Sequence, residues 1–157
     1  MADSGWAAVP GLDEARLDHV GITVGDLAAA EDWYCTAFGL SRDLELRVDA
    51  LELDIVMLIH PALGYRVELL HRPGTHVGDK PATPGDAALV EGYGHMAFDV
   101  VDLDADYERL LVLGAAPVVS PRPSPEKGVR MAFVTDPEGN LVELLQRNSA
   151  GAADPDA

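Results

Sequence analysis

Cysteine is nearly absent from this 157-residue chain: Cys35 stands alone. One thiol excludes an internal disulfide and any zinc cluster built on cysteines. Cations are scarce as well, with 11 Lys and Arg against 27 Asp and Glu and a formal net charge of -16. Nucleic-acid binding rests on Lys and Arg neutralising phosphates, and anionic membrane surfaces attract the same residues, so neither partner is expected. No apolar run approaches the roughly 18 residues that span a bilayer. The opening stretch MADSGWAAVPGLDEAR has no basic start and no apolar block, so no signal peptide is expected and the chain reads as cytoplasmic. Gly-rich phosphate loops are missing, which disfavours nucleotide chemistry.

What is present is a core-sized supply of apolar residues, 48% of the chain, in a length that suits one domain. Residues 1–16 and 148–157 mix Gly, Ala, Pro and Asp without periodicity and read as flexible tails. The patterned region, 17–147, repeats itself. LDHVGITVGDL at 17–27 resembles YGHMAFDVVDL at 93–103, and RVELLHR at 66–72 resembles LVELLQR at 141–147. His19 to His95, Asp26 to Asp102, Leu27 to Leu103 and Pro61 to Pro137 all share an offset of 76, and Glu68 to Glu143 is offset by 75. Landmarks at one spacing mean two copies of one module. Module 1 covers about 17–72, a Gly/Pro-rich linker 73–91, and module 2 about 92–147.

Each copy reads β-α-β-β-β, an α+β class. Leu17–Val24 alternates, with His19, Gly21 and Thr23 on one face. Asp26 is placed as an N-cap, Leu27, Ala30, Tyr34, Ala37 and Phe38 recur at helical spacing, and Gly39 is placed as the stop. Arg47–Ala50, Asp54–His60 and Tyr65–His71 read as strands. In the second copy Gly94–Val100 is a strand with His95 on one face, Leu103–Leu111 a helix ended by Gly114, and Val129–Thr135 and Asn140–Gln146 a strand pair across Asp136-Pro137-Glu138-Gly139. Val118 starts a further strand of this copy, while the proline-rich stretch 117–128 reads as either a lid or a stiff connector.

The repeat places four ligand-type side chains in equivalent positions. His19 and His95 fall in the first strand of each copy, and Glu68 and Glu143 in the last, within the string Val-Glu-Leu-Leu. A glutamate in an apolar strand is costly to bury unpaired. Two at matched positions, with two imidazoles, make a mixed N/O set for one divalent metal, zinc first and Ni, Co, Mn or Fe as alternatives. His60, His71 and His76 have no counterpart in the other copy and are expected at the surface. Cys35 has no acid–base partner nearby, so a catalytic thiol is not expected. Trp33 and Tyr34 read as core or interface.

LDHVGITVGDL…WYCTAFGL, the duplicated module, and the endings RVELL and DPEGNLVELL resemble the vicinal oxygen chelate superfamily, over about residues 17–147. The resemblance implies two modules whose sheets form an open U-shaped barrel around one metal, held by His19, Glu68, His95 and Glu143. A His-Glu-His-Glu set is similar to the glyoxalase I and methylmalonyl-CoA epimerase branch. It implies a divalent-metal-dependent epimerase or isomerase that removes a proton next to a carbonyl, through an enediolate, with Glu143 or Glu68 as base. Glu52 or Asp54 is a candidate second base, with a surface role as the plain alternative. The scarcity of cations (Arg42, Lys127 and Arg130 are the candidates) weighs against polyanionic substrates and toward a keto-sugar or cyclitol. The alternatives are a glyoxalase I-like lyase or methylmalonyl-CoA epimerase, an Fe(II)-dependent dioxygenase, and a metal-free drug-binding resistance protein. The expected partners are a small carbonyl substrate and a second copy in a homodimer; the spacing leaves open whether one chain or two build the site.

Overall fold

Strands that alternate between a helix-facing side and an open side build each half of the molecule. In the computed structural model, which describes residues 16–147, the first half comprises β1 (His19–Thr23), α1 (Leu27–Phe38), β2 (Ser41–Val48), β3 (Leu53–Ile59) and β4 (Arg66–His71). A linker carrying the short helix α2 (Pro84–Ala87) leads to β5 (Met96–Asp99), α3 (Leu103–Val112), β6 (Ala116–Pro123), β7 (Val129–Thr135) and β8 (Leu141–Arg147). The predicted tails, Arg16 apart, lie outside the described residues.

The sheets run β1-β4-β3-β2 and β5-β8-β7-β6, the same order twice. In each, the first strand lies parallel to the last and the other pairings are antiparallel. This is the α+β duplication read from the sequence. The two sheets are separate and do not close on each other within one chain.

Local chemistry sets the element ends. The Asp26 carboxylate accepts from Ala29 N at 3.0 Å and the Asp102 carboxylate from Ala105 N at 3.1 Å, each satisfying a free donor of the first turn. Gly39 closes α1 at φ 65°, a left-handed conformation that costs glycine little. Two expectations change. The strand expected at Arg47–Ala50 starts earlier, at Ser41, and residues 49–51 are a 3-10 turn. The stretch 117–128 is no lid: most of it is β6, an edge strand. An edge strand need not donate a full ladder, which is how it admits Pro117, Pro121 and Pro123, with two register irregularities.

One core joins the modules. Trp33, Tyr34 and Ala37 of α1 pack with Leu103, Tyr107 and Leu110 of α3 and with the helix-facing side of both sheets, including Leu58, Leu69, Val134 and Leu144. Trp33 Nε1 donates to the Leu113 carbonyl at 3.1 Å, Arg109 donates to the Ala37 carbonyl at 2.9 Å, and Phe38 stacks on Phe98 at 4.0 Å. The turn before β8 reaches into module 1. Asp136, 3% exposed, accepts from the Tyr34 hydroxyl at 2.9 Å, and the Glu138 carboxylate accepts from Gly25 N and Asp26 N at 2.8 to 3.0 Å. The helices are thus consumed inside the chain, and the opposite sides of both sheets are left open. Among the described residues no helix is long and apolar enough to cross a membrane.

Candidate metal centre

Glu68 and Glu143 owe their orientation to the period of two in a strand. Their neighbours Val67, Leu69, Val142 and Leu144 are buried in the shared core, so the glutamates project from the open side. Each meets the histidine of its own module. His19 Nε2 lies 3.4 Å from Glu68 Oε2, and His95 Nε2 lies 3.0 Å from Glu143 Oε2. The carboxylates are mostly covered, at 19% and 14% side-chain exposure, while the imidazoles remain at 36% and 37%. Gly21 stands opposite Glu68 in the register, and a Cβ there would come within 3.2 Å of Glu68 Oε2, so the missing side chain gives the carboxylate its room. The second module carries Ala97 opposite Glu143. His95 precedes β5 by one residue, and its ring meets Phe133 edge-on at 5.3 Å.

The first histidine has a further partner. Asp18 Oδ2 lies 2.8 Å from His19 Nδ1. That hydrogen bond, reinforced by the charge of Glu68, raises the pKa of His19 above its ordinary value. Such an outer carboxylate fixes the ring and leaves Nε2 turned toward Glu68. Nothing in the repeat marks Asp18, because module 2 has Gly94 at the equivalent position.

The four ligand candidates therefore form two half-sites. Among the described residues no group of three or more His, Cys, Asp or Glu is placed to hold a metal ion. His19 and His95 do line a common cleft of about 800 Å³, along with Lys80 and Glu91 of the linker. Each half-site fits a divalent ion in donor chemistry, one imidazole nitrogen and one carboxylate, and the two together make the mixed N/O set that such ions take.

The other candidates lie elsewhere. Asp54 shares the helix-facing side with Val56 and Leu58, opposite to Glu68, and pairs with Arg47 at 2.7 Å. Glu52 caps the 3-10 turn at φ 51°. Arg42 is held by Glu31 and Glu45, and Arg130 by Asp104. His76 is exposed as expected, but His60 and His71 are half-buried. The His60 ring accepts from Ala62 N and Leu63 N, and His71 Nδ1 donates to the Val24 carbonyl at 2.9 Å, so both organise turns. Burial and the neighbouring Glu31 and Asp32 push the Cys35 thiol up, which leaves it a poor nucleophile.

Two duplicated modules, each with a His–Glu pair on its open sheet face, define a class, and the sequence profile of one superfamily matches it. The profile of the Glyoxalase/Bleomycin resistance protein/Dioxygenase superfamily matches residues 16–144, and the chain belongs to that superfamily. It is 30% identical over 135 residues to a probable lactoylglutathione lyase of Synechocystis, covering 85% of this chain and 96% of that protein. A probable lactoylglutathione lyase of Vibrio cholerae is also 30% identical, over 145 residues and 97% of its length. Among solved structures, a variant of maize glyoxalase I superposes with a TM-score of 0.67 at 25% identity, covering 85% of this chain; the chain spans 45% of the maize one. A glyoxalase family protein from Bacillus cereus superposes over 89% of this chain with a TM-score of 0.70 at 24% identity, which speaks for the fold alone.

Proposed function

We propose that the protein is a divalent-metal-dependent enzyme that removes a proton from the carbon next to a carbonyl, as a glyoxalase I-like lyase. The observation that carries this reading is the pair of equivalent half-sites, His19–Glu68 and His95–Glu143, in a chain whose relatives are named lactoylglutathione lyase. A divalent ion held by these four residues would supply Lewis-acid polarisation of the substrate carbonyl oxygen. The chain's own residues do the rest. Glu68 or Glu143 takes the proton, each being a largely covered carboxylate beside the histidine of its own module. Asp18 keeps the His19 ring oriented. Returning the proton to the neighbouring carbon isomerises; returning it to the opposite face epimerises. The named relatives favour the first outcome, and the two share the enolising step.

The complete site is proposed to span a homodimer, His19 and Glu68 from one protomer with His95 and Glu143 of the other. Two features support this. The helices that would otherwise separate the protomers are used inside the chain. And β1 and β5 are sheet edges, so the two kinds of half-site can meet edge to edge as eight strands.

The test is proton exchange. Metal-loaded protein in deuterated water is expected to place deuterium on the carbon next to the carbonyl of an α-oxo aldehyde hemithioacetal, and His95→Ala to abolish this. Comparing Glu68→Gln with Glu143→Gln identifies the base as the one whose loss stops exchange while metal is retained. A protein that binds no stoichiometric metal and exchanges no proton refutes the proposal.

A further inference from the structure

We propose that the two half-sites are unequal: His19–Glu68 is the half that takes up the metal first, and Asp18 is the positioning residue that makes it so, holding the His19 ring without itself touching the ion. This rests on the metal-dependent reading above. Asp18 uses both carboxylate oxygens. Its Oδ2 lies 2.8 Å from His19 Nδ1, and its Oδ1 accepts from Arg66 Nη1 at 3.4 Å. A carboxylate only accepts, so Nδ1 carries the ring proton, and the lone pair of a neutral imidazole falls on Nε2, the nitrogen beside Glu68. That is the tautomer and the ring setting that a metal at Nε2 requires. Arg66 is the register partner of His19, and left alone its charge would repel a divalent ion. Asp43 answers it, 3.0 Å from Nη2. The line Asp43–Arg66–Asp18–His19 thus runs from β2 to the start of β1 and ends on the ligand ring.

Module 2 has no such line. The repeat offsets put Gly94 where Asp18 stands and Leu141 where Arg66 stands. His95 meets Glu143 through Nε2 and Phe133 edge-on at 5.3 Å, and among the described residues nothing hydrogen-bonds its Nδ1. An aromatic edge contact does not choose between the two tautomers. Backbone placement differs in the same direction. His19 is inside the β1–β4 ladder, whereas His95 precedes the first pair of β5 with β8, Met96 with Val142. A ligand already fixed by a ladder and a hydrogen bond loses less conformational freedom when an ion arrives. The first half-site is therefore ready before the ion binds, and the second is ordered by the ion it joins.

The test is calorimetric titration of the metal-free full chain with Co(II). Asp18→Ala is expected to weaken Co(II) binding about tenfold, and Asp18→Asn, whose amide oxygen still accepts from Nδ1, to weaken it less. In a His19→Ala background Asp18→Ala should change nothing further, because Asp18 acts through that ring alone. His19→Ala is expected to cost about tenfold more affinity than His95→Ala. Wild-type affinity in Asp18→Ala, an equal loss in the His19→Ala background, or equal affinities of the two histidine variants overturns the proposal. The exchange assay separates this claim from the reaction. Affinities ranked as expected without exchange refute the reaction alone; exchange with equal half-sites refutes the asymmetry alone; a wild-type protein that takes up no Co(II) refutes both.

Discussion

Asp136 is the buried carboxylate on which the two modules meet, and its partners can be removed singly. Besides the Tyr34 hydroxyl it accepts from Asn140 N, Asn140 Nδ2 and Glu138 N. Burial and the charge of Asp136 hold the Tyr34 phenol protonated, its pKa raised far above the ordinary value. Tyr34→Phe removes one donor from a charged acceptor, which costs about 1.5–3 kcal/mol. Urea unfolding should show a lower midpoint with an unchanged slope. At the surface, the Arg130 hydrogen bond holds Asp104 below its ordinary 3.8. A lowered carboxylate pKa favours the folded state above the unfolded value, and that contribution disappears as pH falls through the folded value. Asp104→Asn should therefore flatten the loss of stability below about pH 4, slightly, because the pair is exposed. At this scale the sequence is legible where it repeats: His19, Glu68, His95 and Glu143 stand out through their common offset. Asp18 and Asp43 do not, because each acts in one module only.

Capping makes α1 more dependent on the other module than α3 is. Both helices carry an Asp N-cap, but α1 also receives the Glu138 carboxylate on Gly25 N and Asp26 N. An anion there meets both free donors and the positive end of the helix dipole. Glu138→Ala should cost about 1–2 kcal/mol. Asp102→Ala, which leaves the module contact intact, should cost about 1 kcal/mol. Urea denaturation of both variants checks the order, and a neutral Glu138→Ala would mean that water replaces the carboxylate. Most elements were legible because caps, glycine stops and alternation agree. β2 and β6 were legible only in part, through the strands read at Arg47–Ala50 and from Val118. In β2, Leu44 and Leu46 alternate with Asp43, Glu45 and Arg47, which hides the strand among charges, and its apolar residues face an open side rather than a core. In β6 the prolines argue for a loop until the strand is known to be an edge.

For the whole molecule, duplication makes the proposed ligand set readable while leaving its assembly hidden. Offsets say that His19–Glu68 and His95–Glu143 are equivalent; they say nothing about which copy of module 2 faces which copy of module 1. In the proposed dimer this is governed by the helix-side core, which depends on contacts such as Trp33 with Leu113 and Phe38 with Phe98 that no spacing announces. The consequence is a complementation experiment. In a shared-site dimer, His19→Ala and His95→Ala homodimers each lack a ligand in every site and should be inactive. Mixing and re-associating them in equal amounts makes about half the dimers mixed, and each mixed dimer gathers both lesions in one site and leaves the other with all four ligands. Activity and tightly bound metal should both return to about a quarter of the wild-type value. If each chain builds its own site, every site keeps one lesion and the mixture stays as inactive as its components.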